Sequence, residues 1–159
     1  MNTAPALLLL AALAATPVAA QTPPPQRGSP AAIDAVRQAV RDDKRALVGK
    51  NMQLSEAEAK KFWPIYDEYQ KELDKIQQRQ NRAVLDYVNQ ESSMNDANAS
   101  RIAGELLGAD ADERKLVDKT YKRLRSAIPV RKAVRFLQIE NKIRTLQRFD
   151  IAEQMPLVK

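Results

Sequence analysis

Any acid–base or coordinating chemistry open to this chain must run on carboxylates, amines, guanidiniums and a few hydroxyls, because its 159 residues include no histidine and no cysteine. Ser-His-Asp and Cys-His nucleophilic systems are therefore excluded, as are zinc and copper sites built on imidazole or thiolate. Disulfide staples, lipid attachment through cysteine and thiol chemistry are excluded with them. Carboxylates are plentiful, with 20 Asp and Glu beside 26 Lys and Arg. That inventory admits a glycosidase-type acid pair or a hard-cation cage. Neither leaves a signature, since no D-x-D-x-D-G loop occurs and the acids are scattered along charged stretches. The expectation is a protein that is not an enzyme, with no metal and no cofactor.

What remains is binding, and the charge distribution bears on it. Residues 113–148 hold twelve Lys and Arg against three Asp and Glu, whereas residues 53–112 hold seven against twelve. Two readings follow. The halves attract one another across a helical hairpin as ordinary solvated faces, or the basic half presents a positive face to acidic protein segments, lipid headgroups or lipopolysaccharide phosphates. Arg131, Lys132 and Arg135 are the candidate cations of such a rim. Phe62, Trp63, Ile65, Tyr66, Phe136 and Phe149 are candidate apolar contacts, although core packing is the favoured reading for each. Trp63 stands apart from the others, because it falls off the helical stripe that Phe62 and Tyr66 define.

The elements that position these residues are helices. Four glycines and a modest aromatic content disfavour sheet, while Ala, Leu, Glu, Gln, Lys and Arg dominate. Residues 1–20 read as a secretory signal: an apolar Leu/Ala run, then Pro17 and the small residues Val18-Ala19-Ala20. The run is shorter than the roughly 20 apolar residues a membrane span needs. Cleavage leaves a mature chain of about 139 residues, suited to one domain. Export places the protein in the periplasm, away from nucleic acid. Residues 21–30 read as a proline-rich linker, residues 31–155 as the single helical domain, and residues 156–159 as a tail.

Within the domain, a first helix over about 31–48 carries Ile33, Val36, Val40 and Leu47, with Gly49 and Asn51 as its stop. Leu54-Ser55-x-x-Glu58 is a capping box opening a long second helix to about Asn89. Pro64 predicts a kink in it or a stop near Phe62. A polar turn at 91–95 leads to a third helix over about 96–127, with a soft middle at 108–112. Pro129 restarts the chain into a last helix over about 130–154, whose stripe is Phe136, Ile139, Ile143 and Leu146, widened by Leu137, Phe149 and Ile151. Glu140 and Asn141 interrupt that stripe. The fold class is all-α: four helices with a long kinked second helix, in a thin, curved or hairpin-like bundle, with a shared core in a homodimer as one solution for a chain that buries little per residue.

These features together resemble the Spy/CpxP group of small periplasmic proteins, whose hallmark is an LTxxQ motif. Leu54, Ser55 and Glu58 match that motif with Ser for Thr and Glu for Gln, and both changes keep the capping chemistry. A second copy is reduced to Ile128-Pro129-Val130-Arg131-Lys132. The stretches Phe62-Trp63-Pro64-Ile65-Tyr66 and Phe136-Leu137-Gln138-Ile139-Glu140-Asn141 are similar to those of Spy-like relatives. The resemblance implies a cradle-shaped, often dimeric, ATP-independent chaperone of the envelope stress response that holds unfolded clients on a concave face. It also implies a second role, as an adaptor or brake on the periplasmic domain of a sensor kinase. The metal-sensing role of some relatives lacks its His and Cys ligands here. A third reading places the basic last helix on an anionic lipid surface.

Overall fold

A computed structural model of the protein describes residues 30–155 and Leu157. The expected signal segment, most of the expected linker and the rest of the expected tail lie outside the described residues. The chain is all-helical: α1 (Pro30–Met52), α2 (Glu56–Gln90), α3 (Asp96–Ala127) and α4 (Val130–Gln154), with a single 3-10 turn, Glu91–Ser93, between α2 and α3. No strand occurs among the described residues, and none of their helices is long and apolar enough to cross a membrane.

The helix starts follow from local chemistry. Ser55 accepts the amide of Glu58 while the Glu58 carboxylate accepts the amide of Ser55 at 2.7 Å, so both orphan donors are satisfied. Asn95 caps α3 in the same way through the amide of Asn98. At α4, Pro129 stands just before the first turn, where its missing amide costs nothing. The stop expected near Phe62 does not appear: α2 runs for 35 residues through Pro64. The carbonyl of Lys60 loses its i+4 donor at Pro64, and both residues are exposed, so that carbonyl is open to solvent. The soft middle of α3 is also continuous helix. Ala109 there is fully buried, a small side chain facing into the bundle.

The dihedral break lies instead in α1, at Asp43 (φ −160°, ψ 91°). Its carboxylate accepts the amide of Ala46 at 2.8 Å, so Asp43 acts as an internal N-cap beginning a second helical segment. Lys44, Val48 and Met52 face inward after it, and Val48 and Met52 are fully buried. Gly49 and Asn51 do not stop the helix. It ends at Met52, and Gln53 takes a positive φ of 52°, the left-handed conformation usual just past a helix end.

Consecutive helices run antiparallel. Asp86 with Arg101 and Glu68 with Arg123 set the α2–α3 register, and Asp110 with Arg148 sets α3 against α4. Arg37 with Asp150 and Lys44 with Glu140 lay α1 back along α4. Helix α4 runs parallel to α2 across the core, through Phe62–Phe136, Tyr69–Glu140 and Gln77–Gln147. The core is aromatic at its centre: Phe62, Tyr66, Tyr69 and Phe136 pack with Val48, Met52, Leu73, Leu124 and Ile143.

Candidate binding surface

Three of the aromatic residues considered as surface contacts are core. Phe62 and Phe136 are 0 % exposed and Tyr66 is 2 % exposed. Phe62, Tyr66, Tyr69 and Leu73 recur at spacings of four, three and four, so they share the inward face of α2 and meet Phe136 there. Burial, reinforced by the charge of Glu140, pushes the Tyr66 and Tyr69 phenols well above their usual range. Tyr69 donates to Glu140 at 3.1 Å, and Lys44 donates to the same carboxylate oxygen at 3.0 Å. The Glu140 that interrupts the apolar stripe of α4 is therefore a buried polar link between three helices.

Trp63 and Ile65 are half-buried. The indole packs 3.4–3.5 Å from the Cβ position of Gly49 and meets Phe62 and Tyr66 edge-on. The Arg45 guanidinium lies over its ring at 4.1 Å and itself pairs with Asp67. Cation–π and packing partners thus cover much of the indole, and Ile65 lies against the core.

Leu54, Ser55 and Glu58 do more than start a helix. Leu54 packs on the core, and Glu58 accepts a second bond from Lys132 of α4. Lys132 also donates to the carbonyl of Gln53 at 2.8 Å. Expected at a charged rim, Lys132 is instead a clasp joining the end of α1 and the starts of α2 and α4. Its ammonium, together with the Ser55 amide, holds the Glu58 carboxyl below the usual carboxylate range. Arg135 donates to the Gln53 side chain at 2.9 Å and so helps fix the left-handed residue.

What stays on the surface is one side of α4. Arg131, Arg135, Gln138, Lys142, Thr145 and Phe149 follow at spacings of four, three, four, three and four, a straight row about 27 Å long. No acid interrupts it, and Arg131 and Lys142 have no carboxylate partner among the described residues. Beside this row, about a quarter-turn round, lie Val130 (54 % exposed), Val134 (39 %) and the half-buried Leu137. Phe149 at the far end is 58 % exposed, with Arg37 at 5.6 Å from its ring centre. A groove of about 300 Å³ runs between this row and the end of α1, lined by Lys50, Asn51 and Gln53 opposite Arg135, Gln138, Ile139 and Lys142. Three cations and no carboxylate border it.

Much of the remaining basic excess is neutralised within the fold. Lys119 and Arg123 pair with Glu68 of α2, Arg144 with the buried Glu113, and Arg148 with Asp110. The cations therefore divide: Arg101, Lys119 and Arg123 of α3 pair across the hairpin, whereas Arg131, Arg135 and Lys142 on the outer side of α4 have no carboxylate partner among the described residues. Val130, Val134, Lys50 and Lys142 were not legible as surface partners in the sequence, although the four- and three-residue spacing of Arg131, Arg135 and Lys142 was there to be read. No cluster of three or more possible metal ligands occurs among the described residues. Comparison with family models, with characterised proteins and with solved structures yields no match.

Proposed function

We propose that this protein is a periplasmic, ATP-independent holdase of the Spy/CpxP type, which captures unfolded acidic segments of client proteins on the outer side of α4. One observation carries the reading: on α4, exposed valines and a phenylalanine lie along a row of cations that have no carboxylate partners among the described residues. Small exposed apolar residues supply weak, sequence-tolerant contacts, and a border of cations steers negatively charged chains toward them and keeps the free protein soluble. The antiparallel α2–α3 pair supports a thin, cradle-like bundle in which such a face stays open. Binding should weaken with salt, because exposed charges are screened over roughly 8–10 Å at physiological ionic strength.

Light scattering from a chemically unfolded acidic client, without nucleotide, tests the proposal. Near-stoichiometric mature protein should suppress aggregation, and Val130→Ser with Val134→Ser and Phe149→Ser should abolish most of that effect. Absence of suppression by the wild-type protein would overturn the reading. Loss on reversing Arg131, Arg135 and Lys142 to Glu, with no loss in the serine variant, would point instead to a basic docking face for an acidic sensor domain.

A further inference from the structure

Helix α3 carries two rows of side chains with a seven-residue period. The inner one, through Ile102, Ala109, Glu113, Thr120 and Leu124, is buried in the fold. Asp96, Ser100, Ala103, Leu107, Asp110 and Arg114 make the other, at spacings of four, three, four, three and four. Ala103, Asp110 and Arg114 each stand one residue past a buried position, so this row lies about 100° round the helix. All six residues are exposed, Leu107 at 70 %. A single exposed leucine is ordinary on a soluble protein, but this spacing is that of the seam between two coiled helices. The two ends of the row are charged, and neither Asp96 nor Arg114 has an ion-pair partner among the described residues. Asp110 accepts from Gln80 at 3.0 Å and from Arg148 at 2.9 Å, and a carboxylate has room for a further donor.

We infer that this row is the interface of an antiparallel homodimer, in which α3 packs on α3 of a second copy about a two-fold axis level with Glu105. The row is its own complement when turned end for end. Asp96 and Arg114 each lie nine residues from Glu105, Ser100 and Asp110 five, and Ala103 and Leu107 two. The two-fold therefore sets Asp96 against the second copy's Arg114, and the Ser100 hydroxyl against its Asp110 carboxylate. At the centre it sets the small Ala103 against the large Leu107, which fills the space between the helices. Each contact occurs twice, as an isologous interface requires. A parallel pair would instead oppose Asp96 to Asp96 and Arg114 to Arg114, so charge selects the antiparallel arrangement. Charge also selects this face over the outer row of α4, whose cations would repel their own copies in a chain of net charge +6. The 18 residues from Asp96 to Arg114 span about 27 Å. One helix pair of that length is at the small end of specific interfaces, so the expected Kd is on the order of 10–100 µM.

Sedimentation equilibrium of the mature protein, from about 1 µM to about 500 µM, tests this, and the mean mass should rise from monomer toward dimer across that range. Leu107→Lys, a change at an exposed position, should weaken association at least tenfold and leave the circular dichroism spectrum unchanged. Asp96→Arg and Arg114→Asp should each weaken it at least threefold, and the two combined in one chain should restore it to within twofold of wild type. The chain has no cysteine, so introduced thiols report contacts between copies alone. Ala103→Cys mixed with Leu107→Cys should oxidise to a mixed disulfide dimer several-fold faster than either variant by itself. Monomer at every concentration, an unweakened Leu107→Lys variant, or a charge swap that fails to restore association would each overturn the inference. Self-linking of Ala103→Cys as fast as the mixture would overturn the antiparallel arrangement. No client enters these measurements, so their failure and the failure of the holdase reading are distinguishable.

Discussion

Phe136→Ala separates the two sides of α4 more sharply than any other single change. The ring is 0 % exposed and stands 6.0, 6.3 and 5.4 Å from the rings of Phe62, Tyr66 and Tyr69. Truncating a buried phenylalanine costs about 3–5 kcal/mol through lost transfer energy and the cavity left behind. Three edge-to-face partners place this site toward the upper end of that range. At about 2.1 cal/mol/K per residue, the helical domain has an unfolding entropy of roughly 0.26 kcal/mol/K, so a loss of ~4 kcal/mol lowers Tm by about 15 °C. Val134→Ala, two residues away on the 39 % exposed side, should cost less than about 1 kcal/mol and shift Tm by under about 4 °C. Thermal melts followed by circular dichroism at 222 nm compare the two directly. A Phe136→Ala melt within about 4 °C of wild type, or an equal loss from Val134→Ala, would refute the assignment of inner and outer sides.

Other consequences are as direct. Gly104→Ala should raise stability by about 0.5–1 kcal/mol, since an added Cβ meets nothing within 4 Å and alanine is the better helix former. Gly49→Ala should gain no more than that, because its methyl lies 3.4 Å from the Trp63 indole; urea midpoints of the pair read the difference. Asp43→Ala removes the internal cap of α1 and should cost about 1 kcal/mol in the same assay. The Glu58 carboxyl is held below its unfolded value of 4.5 by Lys132 and the Ser55 amide. Its contribution is therefore complete above about pH 4.5 and is lost as pH falls through the lower, folded-state value. The urea midpoint of wild type should accordingly exceed that of Glu58→Gln at pH 6 and converge with it toward pH 3.

The helix boundaries were largely legible, because caps and periodicity are local. The box at Ser55 and Glu58 and the proline at 129 mark starts that lie within a residue of those expected. Interruptions were harder to read. Pro64 is a helix breaker by local rules, yet the apolar stripe running through Phe62, Tyr66 and Tyr69 carries α2 past it. Asp43 looks like an ordinary charged helix position until its carboxylate turns back to the Ala46 amide. The surface was harder still. Aromatic residues drew attention as contacts, but the large rings of Phe62, Tyr66 and Phe136 fill the space between helices, and smaller valines remain outside. Whether a cation is free or paired depends on the helix opposite, so Lys132 and Arg131, adjacent in sequence, have different roles.

Site-specific photocrosslinking tests the central claim most directly, that the outer side of α4 captures unfolded chains. A photoreactive residue at exposed Gln138, within the basic row, is compared with one at exposed Ser100 on α3, far from it. With a denatured acidic client and no nucleotide, irradiation should join the client at position 138, with the yield falling as salt rises, and give little product at position 100. Equal yields at the two positions, or none at 138 while aggregation is still suppressed, would contradict the account.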